Sequence, residues 1–157
     1  MAKQNKEYVY VDCYQCDENG KSSPWKRKHL DDVPKWQHEE AKDFNCFATV
    51  QKYANEKKTE GEDFLAPLYF DLDYSENPAV AQEEAIKLVE FFTGELDIQE
   101  QDLHIYFSGS KGFHILVDER ALGVEPRKDL QRVYKHIAGY LRYRLGEVQE
   151  QEDENGR

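Results

Sequence analysis

An α+β domain, built on an antiparallel sheet with helices on one face, is what this 157-residue chain predicts. Three observations point to it. Apolar side chains alternate in three stretches between residues 68 and 117, which is the period of a half-buried strand. Two other stretches, between residues 77 and 145, repeat their apolar residues at helical spacing. Finally, 39% hydrophobic and 13% aromatic residues supply enough apolar surface for one core, and the length suits one domain.

The elements follow in chain order. Glu7–Tyr14 (EYVYVDCY) is β-branched and aromatic, as a strand requires. Asp17–Pro34 carries Asn19-Gly20, Ser22, Ser23 and two prolines, and reads as turn and loop. Phe44–Tyr53 (FNCFATVQKY) is a second strand, followed by a polar loop over Asn55–Asp63. Leu68–Tyr74 (LYFDLDY) alternates as a strand. Asn77 then caps a helix with Pro78 at its first position. Ala81, Ala85, Leu88, Val89 and Phe92 form its stripe, and Gly94 stands where a helix stops. Leu103–Ser108 and Phe113–Val117 are strands joined by the loop Gly109–Gly112. A last helix over Asp129–Leu145 aligns Leu130, Tyr134, Ile137 and Leu141. Strand, helix, strand, strand, helix is the split βαβ plan of an RRM-like or ferredoxin-like sheet whose final strand is absent. Residues 67–146 are therefore expected to form the core and 1–66 a strand-containing N-terminal part. Residues 147–157 are expected to be an acidic, disordered tail. The sheet edge left open by the absent strand needs a partner, which either the N-terminal strands or further chain would supply.

The net charge of -11 excludes a generic DNA-coating protein, because phosphate neutralisation needs an excess of Lys and Arg. The charge is also uneven. Residues 71–102 hold ten acids against Lys87, whereas residues 127–144 hold six Lys or Arg against Asp129. No apolar run is long enough to span a membrane, and the N-terminus lacks a signal-peptide core. Three cysteines cannot all pair, which fits a reducing compartment; the chain reads as cytoplasmic.

Strand alternation places a polar set on one face. Leu68, Phe70 and Leu72 turn to the core and Tyr69, Asp71 and Asp73 turn away. In the next strand Leu103, Ile105 and Phe107 are the expected core set, with His104, Tyr106 and Ser108 opposite. In the third, His114 lies on the polar side of Phe113 and Ile115. Two Asp one residue apart on a strand point the same way, about 7 Å apart, and their hard oxygens suit Mg²⁺ or Mn²⁺. A pair of solvated acids is the plainer explanation of such a motif taken alone. The run Ser108-Gly109-Ser110-Lys111-Gly112-Phe113-His114 adds an anion-compatible loop: glycines admit close backbone approach, and Ser108 and Lys111 are donors. An ordinary glycine hairpin explains that run equally when it stands by itself.

LYFDLD, then a helix, then IYFSGSKGFHILVD resembles the archaeo-eukaryotic primase superfamily. Asp71 and Asp73 match its first motif; Ser108, Gly109, Lys111, Gly112 and His114 match its second. The resemblance implies a metal-dependent nucleotidyltransferase. Asp71 and Asp73 would bind Mg²⁺ or Mn²⁺, and the second motif would grip the triphosphate of the incoming nucleotide. Catalytic residues would then be Asp71, Asp73 and His114. The substrates would be a nucleoside triphosphate and a DNA template or primer, with the rest of a longer primase or a helicase as partner. The superfamily's third motif, a strand with another carboxylate, has no counterpart after Leu145. That implies an N-terminal portion of a longer protein, or a short relative that binds nucleotide without turnover.

Other residues have plainer explanations. Cys13-x-x-Cys16 with His29, His38 or Cys46 lacks the second tight ligand pair of a zinc site and reads as small buried hydrophobes. Lys128, Arg132, Lys135 and Arg142 read as a solvated helix face, with template contact the rival. Lys26-Arg27-Lys28 beside Trp25 fits a loop around a buried Trp as well as a nucleic-acid contact. The alternative function is a non-catalytic RRM-like module that stacks bases on Tyr69 and Tyr106.

Overall fold

The computed structural model describes residues 6–42, 45–74, 77–109 and 111–145, and the chain divides into two units. One comprises Met1–Pro67 with Gly123–Leu130; the other comprises Leu68–Leu122 with Gln131–Arg157. The expected tail over 147–157 lies outside the described residues.

The first unit is a small antiparallel sheet centred on β1 (Tyr10–Gln15). It pairs on one side with β2 (Lys26–His29) and on the other with β3 (Cys46–Ala48) and β4 (Lys52–Tyr53). β4 in turn pairs with β5 (Phe64–Leu65). Val11 and Cys13 face a core completed by Trp36 and Ala41, while Asp12 points the other way. There the Arg27 guanidinium donates from Nε to Asp12 Oδ1 at 3.0 Å and from Nη1 to Glu62 Oε1 at 2.6 Å. It also lies over the Tyr53 ring, 3.7 Å from its centroid. The Arg27 side chain is only 4% exposed. Burial alone would lower its pKa, but the hydrogen bonds and charges of Asp12 and Glu62 outweigh burial and hold it above the ordinary value.

This unit corrects the reading of Asp17–Pro34 as loop. Lys-Arg-Lys-His shows no apolar alternation, yet it is a strand because Arg27 finds both carboxylates and an aromatic face inside. The following segment winds through Leu30–Asp32, the α-turn α1 (Val33–Lys35) and a π-type turn over Trp36–Glu40, which buries Trp36. The expected strand Phe44–Tyr53 is two short strands, β3 and β4, and Phe44 lies outside the described residues.

The second unit contains β6 (Leu68–Asp73), α2 (Pro78–Glu90), β7 (Leu103–Phe107), β8 (Gly112–Val117) and α3 (Leu130–Arg144), the first residue of α3 belonging to the first unit. The Asn77 side chain accepts from the Ala79 N–H at 3.2 Å, as a helix cap should. The strands are antiparallel in the order β6, β8, β7. Leu68, Ile115 and Val117 pack against Ala85 and Leu88 of α2, Phe92 just beyond it, and Leu141 of α3. Both helices thus share one apolar core with one face of the sheet.

Three expectations change here. Gly94 does not stop the helix; it lies inside a π-type turn over Phe91–Glu95, and Asp97 takes the left-handed conformation with φ 55°. Ile105 and Phe107 are not core: they are 49% and 59% exposed, because β7 is an edge strand and the apolar core centres on β8 and β6. Among the described residues, β1 to β5 pair with one another in a separate sheet and none of them pairs with β6.

Two phenols of this unit predict alkaline behaviour. Burial, then the Glu84 carboxylate that Tyr74 Oη contacts at 2.6 Å, pushes Tyr74 up to about 12. Burial and the charge of Glu119 do the same to Tyr134. Unfolded, both lose their protons near the ordinary phenol value of 10.0. The stability they contribute is therefore complete below about pH 10 and is lost as pH rises to about 12. Alkaline unfolding followed by circular dichroism should fall in that window, with two late-titrating tyrosinates in the absorbance curve.

Candidate active site

Strand register assembles the site. Across the sheet, Asp71 of β6 pairs with His114 of β8, which pairs with Tyr106 of β7. The neighbouring row is Tyr69, Leu116 and His104, and on the other side Asp73 stands beside Gly112. Because alternate residues share a face, Tyr69, Asp71, Asp73, His104, Tyr106 and His114 all lie opposite the helices. The Asp71 side chain is 57% exposed, and His114 Nε2 approaches its Oδ1 to 3.4 Å. The Tyr69 ring sits 5.5 Å from that of His114. Burial pushes the Tyr69 phenol up and the charge of Asp71 adds to it. Tyr69 and Tyr106 were legible as face residues from alternation; their placement beside His114 required the register.

The loop after β7 is held by its own serine. Ser108 N–H donates to the Gly112 carbonyl at 2.9 Å, and Ser108 Oγ accepts from the Gly112 N–H at 3.0 Å. The Gly112 N–H is thus engaged within the loop itself. Ser108 keeps its hydroxyl proton to donate. Gly112 has a steric task as well: a Cβ there would overlap the Leu72 carbonyl, part of the backbone of β6. Gly109 has φ 95°, a conformation that side chains disfavour. Lys111 is exposed, and its carbonyl accepts from the Tyr74 N–H at 3.3 Å, tying the loop to the end of β6. Ser110 lies outside the described residues.

A cavity of about 300 Å³ runs along the free edge of β6, lined on the helix side by Phe70, Leu72, Leu88 and Leu141. Asp71 and Asp73 line it as well. The convergent polar groups stand on the open face, and the chemistry is assigned there.

Two exposed carboxylates on one strand are hard donors of the kind Mg²⁺ takes, since it keeps several waters and shares substrate phosphates. No group of three or more His, Cys, Asp or Glu side chains placed to hold a metal occurs among the described residues. In the first unit Cys13 is fully buried and the three cysteines are unbridged. No described helix is long and apolar enough to cross a membrane.

Comparison with known proteins first gives the class, the small subunits of DNA primases. The chain belongs to the DNA primase small subunit family: the model of that family matches residues 70–153, a span that includes both aspartates and the Ser108–His114 loop. DNA primase small subunit PriS of Thermoplasma volcanium is 36% identical over 95 residues, covering 51% of this chain and 27% of the relative. The same subunit of Pyrobaculum islandicum is 40% identical over 60 residues, 36% of this chain and 19% of the relative. That of Methanocorpusculum labreanum is 36% identical over 76 residues, 41% and 20% respectively. The chain thus spans about a fifth to a quarter of the length of the curated relatives it matches. No solved structure matches it.

Proposed function

We propose that the second unit is an RRM-like domain for primase-type nucleotidyl transfer, moving a nucleoside monophosphate from its triphosphate to a 3′-hydroxyl on a DNA template. The pairing of Asp71 with His114 across β6 and β8, beside the glycine loop, is the observation that carries this reading. Family membership supports it.

Asp71 and Asp73 would hold a divalent cation, Mg²⁺ or Mn²⁺. When bound, such a cation supplies positive charge against the triphosphate and the charge that develops on the reacting oxygens. Lys111 and the Ser108 hydroxyl hold the β- and γ-phosphates, Lys111 as a compact point charge. His114, within reach of Asp71, orients a phosphate oxygen. The 3′-oxygen bonds to the α-phosphorus, the bond to the bridging oxygen breaks, and pyrophosphate leaves. The hydroxyl proton passes to water on this exposed face. The protein's share is positioning and electrostatics. As in the relatives named small subunits, the chain works as part of a larger enzyme.

The test is binding of a fluorescent nucleoside triphosphate with and without Mn²⁺. Lys111→Ala and His114→Ala should each weaken the Mn²⁺-dependent complex about tenfold or more, the loss of a charge-assisted contact. Unchanged affinity in both variants would overturn the triphosphate assignment. Exposed Tyr69 and Tyr106 favour a second reading, base stacking without chemistry. In that case nucleotide would bind equally well without metal.

A further inference from the structure

The outer face of α3 is not used by the proposed reaction. α3 carries Arg132, Lys135, Arg142 and Arg144 and no Asp or Glu, in a chain of net charge -11. Its inner side supplies Tyr134, Ile137 and Leu141 to the core. Arg132, Lys135, His136, Tyr140 and Tyr143 are exposed on the other side, Tyr140 at 56% and Tyr143 at 79%. Residues 132, 136, 140 and 143 are spaced by four, four and three, so they run along one side of the helix for about 16 Å. Between the basic and aromatic ends, Gly139 has no side chain and no neighbouring element within 4 Å of where a Cβ would stand. Packing asks for no glycine there, and its absence of a side chain leaves the backbone open to approach.

We infer that this face binds single-stranded nucleic acid. Arg132 and Lys135 meet phosphates, and Tyr140 and Tyr143 stack on unpaired bases. Charge complementarity selects an anionic occupant. The exposed tyrosines select one with aromatic faces, which an acidic peptide lacks and a duplex hides in its stack. α3 packs on the apolar face of the sheet, whereas Asp71 and His114 lie on the other. The contact is therefore a tether behind the site. It would raise the local concentration of a template strand without occupying the nucleotide's place.

The test is fluorescence anisotropy of labelled oligothymidylate with the full chain, in chelator and without nucleotide, across a salt series. Binding should weaken linearly in log salt. Arg132→Ala with Lys135→Ala should flatten that slope by about 1.4, or 0.7 per lost phosphate contact. Tyr140→Ala with Tyr143→Ala should weaken binding about tenfold or more and leave the slope unchanged. Neither pair should alter Mn²⁺-dependent nucleotide binding. Equal affinity of parent and both variants overturns the inference, as does equal affinity for a duplex or for polyglutamate of matched charge. The readout needs neither metal nor nucleotide, so it stands or falls separately from the proposed reaction.

Discussion

Asp71→Ala is expected to reduce Mn²⁺-dependent binding of a nucleoside triphosphate to the level seen without metal, and the proposed nucleotidyl transfer by about a thousandfold. A metal ion supplies several kcal/mol of charge stabilisation, and each 1.36 kcal/mol is about tenfold in rate. Among the described residues the face offers the carboxylates of Asp71 and Asp73, and removing one halves those oxygen donors. Asp71 is more than half exposed and closes no core contact, so the variant should fold as the parent does. Asp71→Asn should behave almost as badly: it keeps the shape and loses the charge. Its imidazole neighbour also matters, because His114 would lose the anion 3.4 Å away. Nucleotide binding in Asp71→Ala that equals the parent with and without Mn²⁺ would remove the metal-site reading altogether.

Gly112→Ala is the second large effect, and it acts through the backbone. The added methyl would fall on the carbonyl of Leu72 and against the Cα of Asp73. These are backbone atoms of β6, so no flexible side chain can swing aside. β6 and β8 must part at the Asp73–Gly112 pair. The expected cost is about 3 kcal/mol, the upper range for forced overpacking, read from urea unfolding. Mn²⁺-dependent nucleotide binding should be lost as well, because the shift displaces Asp73. Gly109→Ala is the contrast. Nothing crowds that position, so only its positive φ opposes the change, at about 1 kcal/mol. A Gly112→Ala protein with parental stability would show that the strands do not approach this closely.

Much of the second unit was legible because its signals are local. Alternation in LYFDLD fixes which side chains share a face, and Asn77-Pro78 marks a helix start from two adjacent residues. Family resemblance rested on the same two short runs, and the matched span takes in both aspartates of the first and all of the second. The exposure of Ile105 and Phe107 was not legible: alternation says which side a residue takes, and only the position of β7 at the sheet edge says whether anything covers that side. Likewise the bond from the Gly112 N–H to the Ser108 hydroxyl oxygen was not legible, because residue order alone does not say how a loop closes on itself.

From its sequence alone, this protein's two-residue and helical periods determined the polar face bearing Asp71, Asp73 and His114 and the two helices behind it. The tertiary structure decided what depends on distant partners. β2 is a strand because Arg27 meets Asp12 and Glu62, 15 and 35 residues away. The side of β6 that stays open depends on which strands pair elsewhere. Periodicity is written into neighbouring residues by backbone geometry. Satisfaction of a buried charge or a strand edge depends on groups that only the folded chain brings together.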